Sequence, residues 1–262
     1  MKVVFIGSGN VATHMAMALK GVGNGIVQVY SRTSENAELL ADRVGAEPID
    51  NLEDIYCTAD FYIFSVKDDI LPEIVAQMPS TTGIWAHTAG SIPVSVLSPH
   101  KKRGALYPLQ TFSREREVNF QDIPLFIEGE SDETAILLKE LAETISGNVH
   151  FLSGDKRRIL HLAAVFACNF TNHMYTLASE IMSEEEIPFH LLNPLINETA
   201  AKVTVMEPKA AQTGPAVRFD EKVMQKHLEL LKDPLKREIY SLLSSSIHKV
   251  SGNRGANETQ NV

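Results

Sequence analysis

Apolar positions along the 262-residue chain follow two patterns, and the change from one to the other lies near residue 152. Before that point, short and nearly continuous apolar runs alternate with amphipathic stretches, which is typical of buried parallel strands joined by helices. After it, the spacing of apolar residues is helical as far as about Val250. We therefore predict an α/β domain over 1–152, an all-helical domain over 153–250 and a polar tail over 251–262, with the ligand crevice between the two domains.

Turn-forming residues separate the apolar runs and set the limits of the predicted elements. Strands are predicted at 2–6, 26–30, 60–67, 84–91, 104–110, 124–128 and 149–152. Helices are predicted after the first strand, at 34–44, from 68, at 132–146 and from about 159. Two more helices are predicted to start at Asn193-Pro194 and Asp233-Pro234, where a capping residue precedes a proline suited to the first turn.

A glycine-rich motif follows the first strand directly and opens the first helix. Its spacing is Gly-x-Gly-x-x-Ala, with Gly7 at the sharp turn, Gly9 where backbone approaches a pyrophosphate, and Ala12 where helix and strand pack closely. The positive end of the helix dipole then faces the phosphates. The alternative is an ordinary glycine turn. The position of the motif favours a Rossmann dinucleotide-binding domain, with cofactor contacts from Gly7, Ser8, Gly9, Asn10 and Val11.

The residues after the second predicted strand indicate which dinucleotide is bound. Enzymes that prefer NAD usually have an acidic residue there, which binds the ribose 2′-hydroxyl. This chain has Ser31, Arg32 and Thr33 instead, and a guanidinium beside two hydroxyls suits a 2′-phosphate. We predict that NADP (NADPH) is preferred over NAD. The alternative is that Arg32 is merely a surface residue.

Further cofactor contacts are predicted at the ends of two neighbouring strands. The segment Ser65, Val66 and Lys67 should border the cofactor, because its strand lies next to the first one in such a sheet. The next strand ends in His87, Thr88 and Ala89, a small-residue turn against which a ring could lie. His87 could be catalytic, but a lone histidine at a strand end is more often positional.

Composition narrows the class of partner. The net charge of -9 argues against nucleic acid and against an anionic membrane. Only two cysteines occur, Cys57 and Cys168, so we predict no disulfide framework and no metal site, and a cytoplasmic location. The N-terminus has no secretory signal pattern, and the apolar run Leu162 to Cys168 is too short to span a bilayer.

The predicted helix that begins near Ile159 contains no charged residue up to Ser179. Such a helix should be buried on most sides, which predicts a homodimer through the helical domain. At about 100° per residue, His161 and Asn172 fall on one face, with Asn169 nearby. His161 could act as general acid while Asn169 holds the substrate carbonyl or imine, and His161, Asn169 and Asn172 are the candidate catalytic residues. The alternative is that they are satisfied polar groups in a helix–helix core.

At this point a family resemblance covers nearly the whole chain. The N-terminal motifs resemble the domain shared by pyrroline-5-carboxylate reductases, prephenate dehydrogenases and deazaflavin-dependent NADP oxidoreductases; they are Gly-Ser-Gly-Asn-Val-Ala, Ser-Arg-Thr, Ser-Val-Lys-Asp-Asp and His-Thr-Ala-Gly-Ser. The stretches 107–112, 161–170, 193–196 and 213–220 are similar to bacterial Rossmann-like proteins with a helical C-terminal domain of unknown function, of the DUF2520 type. The resemblance implies an NADP-type oxidoreductase, often dimeric, with no settled reaction.

Two departures limit what the resemblance implies for catalysis. Prephenate dehydrogenases carry a histidine where this chain has Tyr107, before Pro108. In 3-hydroxyacid dehydrogenases a catalytic lysine precedes an asparagine on the interdomain helix by one turn; if Asn169 is that asparagine, Val165 stands in place of the lysine. These departures keep open a non-catalytic NADP-binding sensor or scaffold protein beside an oxidoreductase.

Candidate substrate contacts are Tyr107, Gln110 and Arg218. Arg218 ends a turn-rich predicted loop before Asp220, a plausible helix cap, and its guanidinium could anchor a carboxylate. The alternative is a salt bridge from Arg218 to Asp220 or Glu221. The favoured reaction is hydride transfer between nicotinamide and a small, carboxylate-bearing ketone, imine or hydroxyacid.

Overall fold

The computed structural model describes residues 1–113 and 116–252. The chain divides into two compact units, Met1–Asn169 and the residues from Phe170 onward. The predicted domain boundary at residue 152 coincides with the end of the last strand, whereas the first unit also includes the helix that follows. Positions 253–262 of the predicted tail lie outside the described residues, and Ser251 and Gly252 continue the last helix.

The first unit is an α/β sheet domain with an eight-stranded sheet. Its strands are β1 (Lys2–Ile6), β2 (Gly25–Tyr30), β3 (Glu47–Ile49), β4 (Phe61–Phe64), β5 (Ile84–His87), β6 (Arg103–Pro108), β7 (Leu125–Gly129) and β8 (Val149–Phe151). Its helices are α1 (Asn10–Gly21), α2 (Ser34–Val44), α3 (Leu71–Gln77), α4 (Asp132–Glu143) and α5 (Gly154–Ala164). Apolar side chains fill a core on each face of the sheet, as expected for strands that are buried on both sides.

The sheet order is β3-β2-β1-β4-β5-β6-β7-β8. All neighbouring strands are parallel except β6 and β7, which are antiparallel. The chain leaves β1 in one direction for β2 and later returns to β4 on the other side of β1. In open α/β sheets, ligands bind at such a switch point, outside the carboxyl ends of the strands.

The second unit is helical throughout its described part. Its helices are α6 (Thr171–Ser183), α7 (Asn193–Val205), α8 (Pro208–Ala211), α9 (Pro215–Arg218), α10 (Glu221–Leu230) and α11 (Pro234–Gly252). The predicted helix starts at Asn193-Pro194 and Asp233-Pro234 are present, and Asp220 caps α10 by accepting a hydrogen bond from Val223 N. Over the described residues, no helix is long and apolar enough to cross a membrane.

One expectation about the long helix is wrong, and a second one stays a prediction. It is interrupted by a π-helical segment, Val165–Phe170, between α5 and α6. Within a single chain no residue of the π-helical segment or of α6 is buried, and burial of this helix in a homodimer stays a prediction. Phe166 and Phe170, for example, are 63% and 49% exposed.

Candidate functional site

The turn between β1 and α1 requires glycine at Gly7. This residue has φ +111, and a Cβ there would lie 2.2 Å from the carbonyl oxygen of Ser65. At Gly9, by contrast, a Cβ would meet no atom of the described residues within 4 Å. Gly9 precedes α1 without a side-chain cap, and the first turn of α1, all of it described, contains no acidic residue. Gly9 therefore leaves open space beside the start of α1, and the uncapped first turn suits a phosphate.

The end of β2 presents the predicted Ser31, Arg32 and Thr33. Ser31 is held by a 3.1 Å hydrogen bond from its N–H to the carbonyl of Ile49, at the end of β3. Arg32 and Thr33 are exposed, and no ion pair to Arg32 occurs in the ranges 1–113 and 116–252. The guanidinium is therefore available to an anionic ligand.

The ends of β4 and β5 lie beside this turn, as the sequence predicted. The Ser65 N–H donates to the carbonyl of Ile6 at 2.8 Å, and the Thr88 N–H donates to the carbonyl of Phe64 at 3.0 Å. The hydroxyls of Ser65 and Thr88 are 3.3 Å apart, with Thr88 donating. These contacts bring Ser65 and Thr88 to the same edge of the sheet as Gly7.

His87 is placed differently from the prediction that it contacts a cofactor. It is 0% exposed, so its side chain lies beneath the site rather than at its surface. Its Nδ1 accepts a hydrogen bond of 3.2 Å from the N–H of Ala89. Burial lowers the pKa of His87 to about 3, the positive charge of Arg157 adds to that shift, and the Pro93 carbonyl opposes it. His87 is thus a neutral residue that shapes the turn after β5.

Tyr107 and His161 form a pair that the sequence did not predict. A hydrogen bond of 3.0 Å joins Tyr107 Oη and His161 Nδ1, although the residues are 54 positions apart. Tyr107, at the end of β6, is 7% exposed, whereas His161 on α5 is partly exposed. Burial raises the pKa of the Tyr107 phenol, and the charge of Arg157 partly opposes the rise. The phenol therefore keeps its proton at neutral pH.

The loop after β5 brings this pair close to the cofactor side of the sheet. A Cβ at Gly90 would lie 2.6 Å from His161 Nδ1, so the ring packs directly on the backbone of Gly90. Gly90 follows Thr88 by two residues. The predicted catalytic residue His161 therefore packs on a loop residue only two positions after Thr88, one of the predicted cofactor contacts, and all of these residues belong to the first unit.

The other predicted substrate residues, Gln110 and Arg218, are both exposed. Gln110 is exposed, and its Oε1 accepts a 2.8 Å hydrogen bond from the Thr111 N–H. Arg218 is the last residue of the short helix α9 rather than part of a loop. It is exposed and makes no ion pair with Asp220 or Glu221 in the described chain.

Asn169 and Asn172 are both exposed, and Asn169 shares no hydrogen bond with His161 in the part of the chain described. Their predicted face assumed an uninterrupted α-helix at about 100° per residue. A π-helical turn has i→i+5 hydrogen bonds and shifts the residues after it around the axis. The prediction that His161 and Asn172 share one helix face is therefore wrong as it was calculated. A catalytic role for Asn169 and Asn172 stays a prediction.

Sequence reasoning missed Arg157. It stands between Lys156 and Arg158, and the three look alike as charges on the first turns of a helix. Only Arg157 is buried, at 0% exposure. A cation can be buried only with partners, and its partners come from distant parts of the chain, Glu128 and the carbonyl of Ile92. No local pattern distinguishes it.

Two family models match the chain, one described as a Rossmann-like domain over residues 1–112 and one as a domain of unknown function, DUF2520, over residues 123–247. A Bacteroides fragilis structure named as an NADP oxidoreductase is 49% identical, with a TM-score of 0.88 over 95% of this chain and 98% of that chain. No curated protein matches the chain.

Two more distant structures share the fold. A Thermotoga maritima protein is 20% identical, with a TM-score of 0.80 over 95% of this chain and 99% of that one. A reductive aminase from Aspergillus terreus, in complex with NADPH and ethyl-5-oxohexanoate, is 14% identical, with a TM-score of 0.71 over 98% and 94%. The fold, the glycine turn and the match at 49% identity over nearly the whole chain all indicate the same family. The chain belongs to the Rossmann-like NADP oxidoreductase family whose members carry a C-terminal DUF2520 domain.

Proposed function

We propose that the protein transfers hydride between NADP and a small ketone, imine or hydroxyacid, with Tyr107 and His161 handling the accompanying proton. The observation that supports this most is the Tyr107–His161 hydrogen bond, which lies next to the loop that follows Thr88. A buried, protonated phenol bonded to a partly exposed imidazole is suited to donate a proton and to regain one from solvent.

The residues at the sheet edge fit a dinucleotide. Gly9 leaves space over the start of α1, and the N–H groups of Asn10 and Val11 would bind the pyrophosphate. Ser65 and Thr88 would border the nicotinamide end, with their hydroxyls fixed by each other. When bound, the nicotinamide supplies or accepts the hydride.

The preference for NADP over NAD rests on Arg32. Its guanidinium is exposed and has no ion-pair partner among the residues the structure describes, and it lies where a 2′-phosphate would be bound. The name of the Bacteroides fragilis relative, an NADP oxidoreductase, supports the same preference.

In the direction of reduction, His161 Nδ1–H donates to Tyr107 Oη, which leaves the phenol proton free to pass to the substrate oxygen or nitrogen. His161 then gives its Nδ1 proton to the phenolate while its Nε2 takes up a proton from solvent. The reverse direction uses the same two atoms in the opposite order. Burial of Tyr107 favours the protonated phenol, which is the form needed for the donor role.

Arg218 is our proposed anchor for a substrate carboxylate, since it is exposed and unpaired in the described chain and its planar fork matches a carboxylate. Asn169 and Asn172 remain candidates to bind the carbonyl or imine. We also propose a cytoplasmic location, which fits the free thiols of Cys57 and Cys168.

The proposal is tested by following NADPH oxidation with panels of keto acids, aldehydes and cyclic imines. For a substrate found in this way, Tyr107→Phe should lower kcat by about 10²–10⁴-fold, the usual contribution of a positioned acid, without changing the Kd for NADPH. Tyr56→Phe is the matched control, because Tyr56 also loses a hydroxyl bond, to Lys2, but at an exposed place away from the site. Wild-type turnover by Tyr107→Phe would contradict the proton role.

A further inference from the structure

We infer that Arg157 is a positioning residue, which holds His161 against Tyr107 by tying helix α5 to strand β7 and to the loop after β5. The inference deepens the proposed function and rests on it for the role of the pair. The ties themselves are visible in the contacts of Arg157.

Arg157 lies one helical turn before His161 on α5, and residues four apart share a helix face. Its side chain is 1% exposed, which makes it the largest fully buried side chain among the residues described. Nη1 donates to Oε2 of Glu128 on β7 in a short ion pair, and Nη2 donates to the carbonyl of Ile92 at 2.6 Å. One planar guanidinium therefore bonds two other elements at once.

The second tie controls the space in which the imidazole lies. Ile92 belongs to the same loop as Gly90, on whose backbone the ring of His161 packs. Arg157 therefore fixes the helix that presents His161 and also the loop that limits its movement. If either tie were lost, the ring would no longer be held between Gly90 and the Tyr107 hydroxyl.

The acceptor on β7 is itself held in place. A Cβ at Gly154 would lie 3.1 Å from Oε2 of Glu128. The carboxylate therefore packs against the backbone of Gly154, the first residue of α5. Glu128 pairs with Ala105 across the antiparallel β6–β7 ladder, two residues before Tyr107 on β6. The ion pair thus links α5 to the ladder that positions Tyr107.

The burial of Arg157 is better explained by positioning than by stability. The Arg157 side chain is 1% exposed and the Glu128 side chain 26% exposed. Desolvation of the guanidinium offsets much of the attraction, so replacement of such a pair by neutral groups is often without cost to stability. Nε of Arg157 is also buried without a hydrogen-bond partner in the described chain, which adds to the cost. What the pair provides that neutral groups lack is directed bonding to two elements.

The test uses Arg157→Lys, and the double variant Arg157→Met with Glu128→Gln, which leaves no unpaired buried charge. Lysine retains the charge but cannot bond to Glu128 and Ile92 with one planar fork. We expect both to lower kcat at least tenfold with the Kd for NADPH unchanged. The ¹⁵N NMR resonance of His161 Nδ1, measured with NADPH bound, should move as far as it does in Tyr107→Phe.

The inference is overturned if Arg157→Lys keeps the wild-type kcat and His161 resonance, since charge rather than bonding would then suffice. It is also overturned if both variants lower only the melting temperature. Gly90→Ala is the positive comparison, because its Cβ must displace the same ring while the Arg157 ties remain. The NMR measurement needs no turnover, so it decides the positioning role even if the proposed reaction fails.

Discussion

His87 shows how burial decides the charge of a side chain at the edge of this site. The residue is fully enclosed next to the cation Arg157, and its pKa is lowered from 6.5 to about 3. A protonated imidazole there would be both desolvated and repelled. The neutral ring is needed because its Nδ1 must accept the hydrogen bond from Ala89.

This pKa shift predicts a pH dependence of stability. Between the unfolded pKa of 6.5 and the folded value of about 3, the unfolded chain binds a proton at His87 that the folded chain does not. The free energy of unfolding should therefore fall as pH decreases through this window, by up to about 1.4 kcal/mol per pH unit from His87. Urea unfolding of the wild type and His87→Gln between pH 7 and 4 measures it. Equal pH slopes for the two proteins would contradict the shift.

Arg32 should determine the choice of cofactor at the level of a single residue. Arg32→Ala is expected to weaken NADPH binding by about 1.5–3 kcal/mol, the value of a charge-assisted hydrogen bond, and to leave NADH binding nearly unchanged. Calorimetric titration measures both. Lys101→Ala is the matched control, since it removes an exposed positive charge just before β6. Lys101 thus lies at the amino-terminal end of its strand, whereas Arg32 follows the carboxyl end of β2. Equal losses for NADPH and NADH would show that Arg32 does not bind the 2′-phosphate.

At the scale of elements, the turn between β1 and α1 was predictable and the long helix was not. The glycine spacing fixes the turn locally, because Gly7 has a positive φ and no room for a side chain. The π-helical segment Val165–Phe170 has no comparable local cause in the sequence. Its apolar and polar residues are equally compatible with an α-helix, so a projection at a constant angle fails there.

Three further features were not predicted, because the local sequence does not determine them. Strand β3 has three residues, one of them Pro48, which gives a pattern too short to predict. The antiparallel direction of β7 relative to β6 depends on the path of the connection between the two strands. The pattern of apolar residues within the strands does not contain that path. The Tyr107–His161 pair likewise depends on the packing of α5 beside β6, so each residue was a candidate but their contact was not.

The two glycines of the turn should respond differently to alanine. Gly7→Ala is expected to lower stability by at least about 1–3 kcal/mol, the cost of a strained backbone conformation, because its Cβ meets the Ser65 carbonyl. Gly9→Ala should change stability by less than about 0.5 kcal/mol, as expected for an open position, yet weaken NADPH binding. Thermal unfolding and calorimetry measure the two effects. Unchanged NADPH affinity in Gly9→Ala would argue against a pyrophosphate at this turn.

At the scale of the whole molecule, the helical unit leaves much apolar surface uncovered. The described parts of α6, α7, α10 and α11 contain no fully buried residue in a single chain. An apolar depression of about 370 Å³ lies among α6, α10 and α11, and Ile181 and Leu243 line it. Exposed apolar patches of this kind are typical of interaction surfaces. We propose that a second copy of the chain covers this surface in a homodimer.

The dimer predicts a specific effect of charge on this surface. Leu243→Glu should convert a dimer into a monomer at micromolar concentration, because a carboxylate would be desolvated in the interface. Ile136→Glu is the control, since Ile136 is 52% exposed on α4 in the first unit. Sedimentation velocity measures both. A monomeric wild type at this concentration would contradict the proposal.

The general architecture could be predicted from the sequence because it depends on repeated local patterns. The change of pattern correctly predicted an α/β sheet followed by helices. Its position near residue 152 is not the boundary of the DUF2520 match, which begins at residue 123 and includes the last two strands. The substrate could not be predicted in the same way. It depends on which exposed groups meet around Tyr107 and His161, and neither spacing nor composition fixes that arrangement.

The central claim, hydride transfer with NADP, is tested most directly by isotope transfer. The enzyme is incubated with NADPH carrying deuterium at both C4 positions and the panel of ketones and imines, and products are analysed by mass spectrometry. The account predicts one deuterium in a reduced product for each NADPH oxidised, with formation of that product strongly slowed in Tyr107→Phe. Tight NADPH binding without deuterium transfer to any member of the panel would contradict it and favour a non-catalytic sensor.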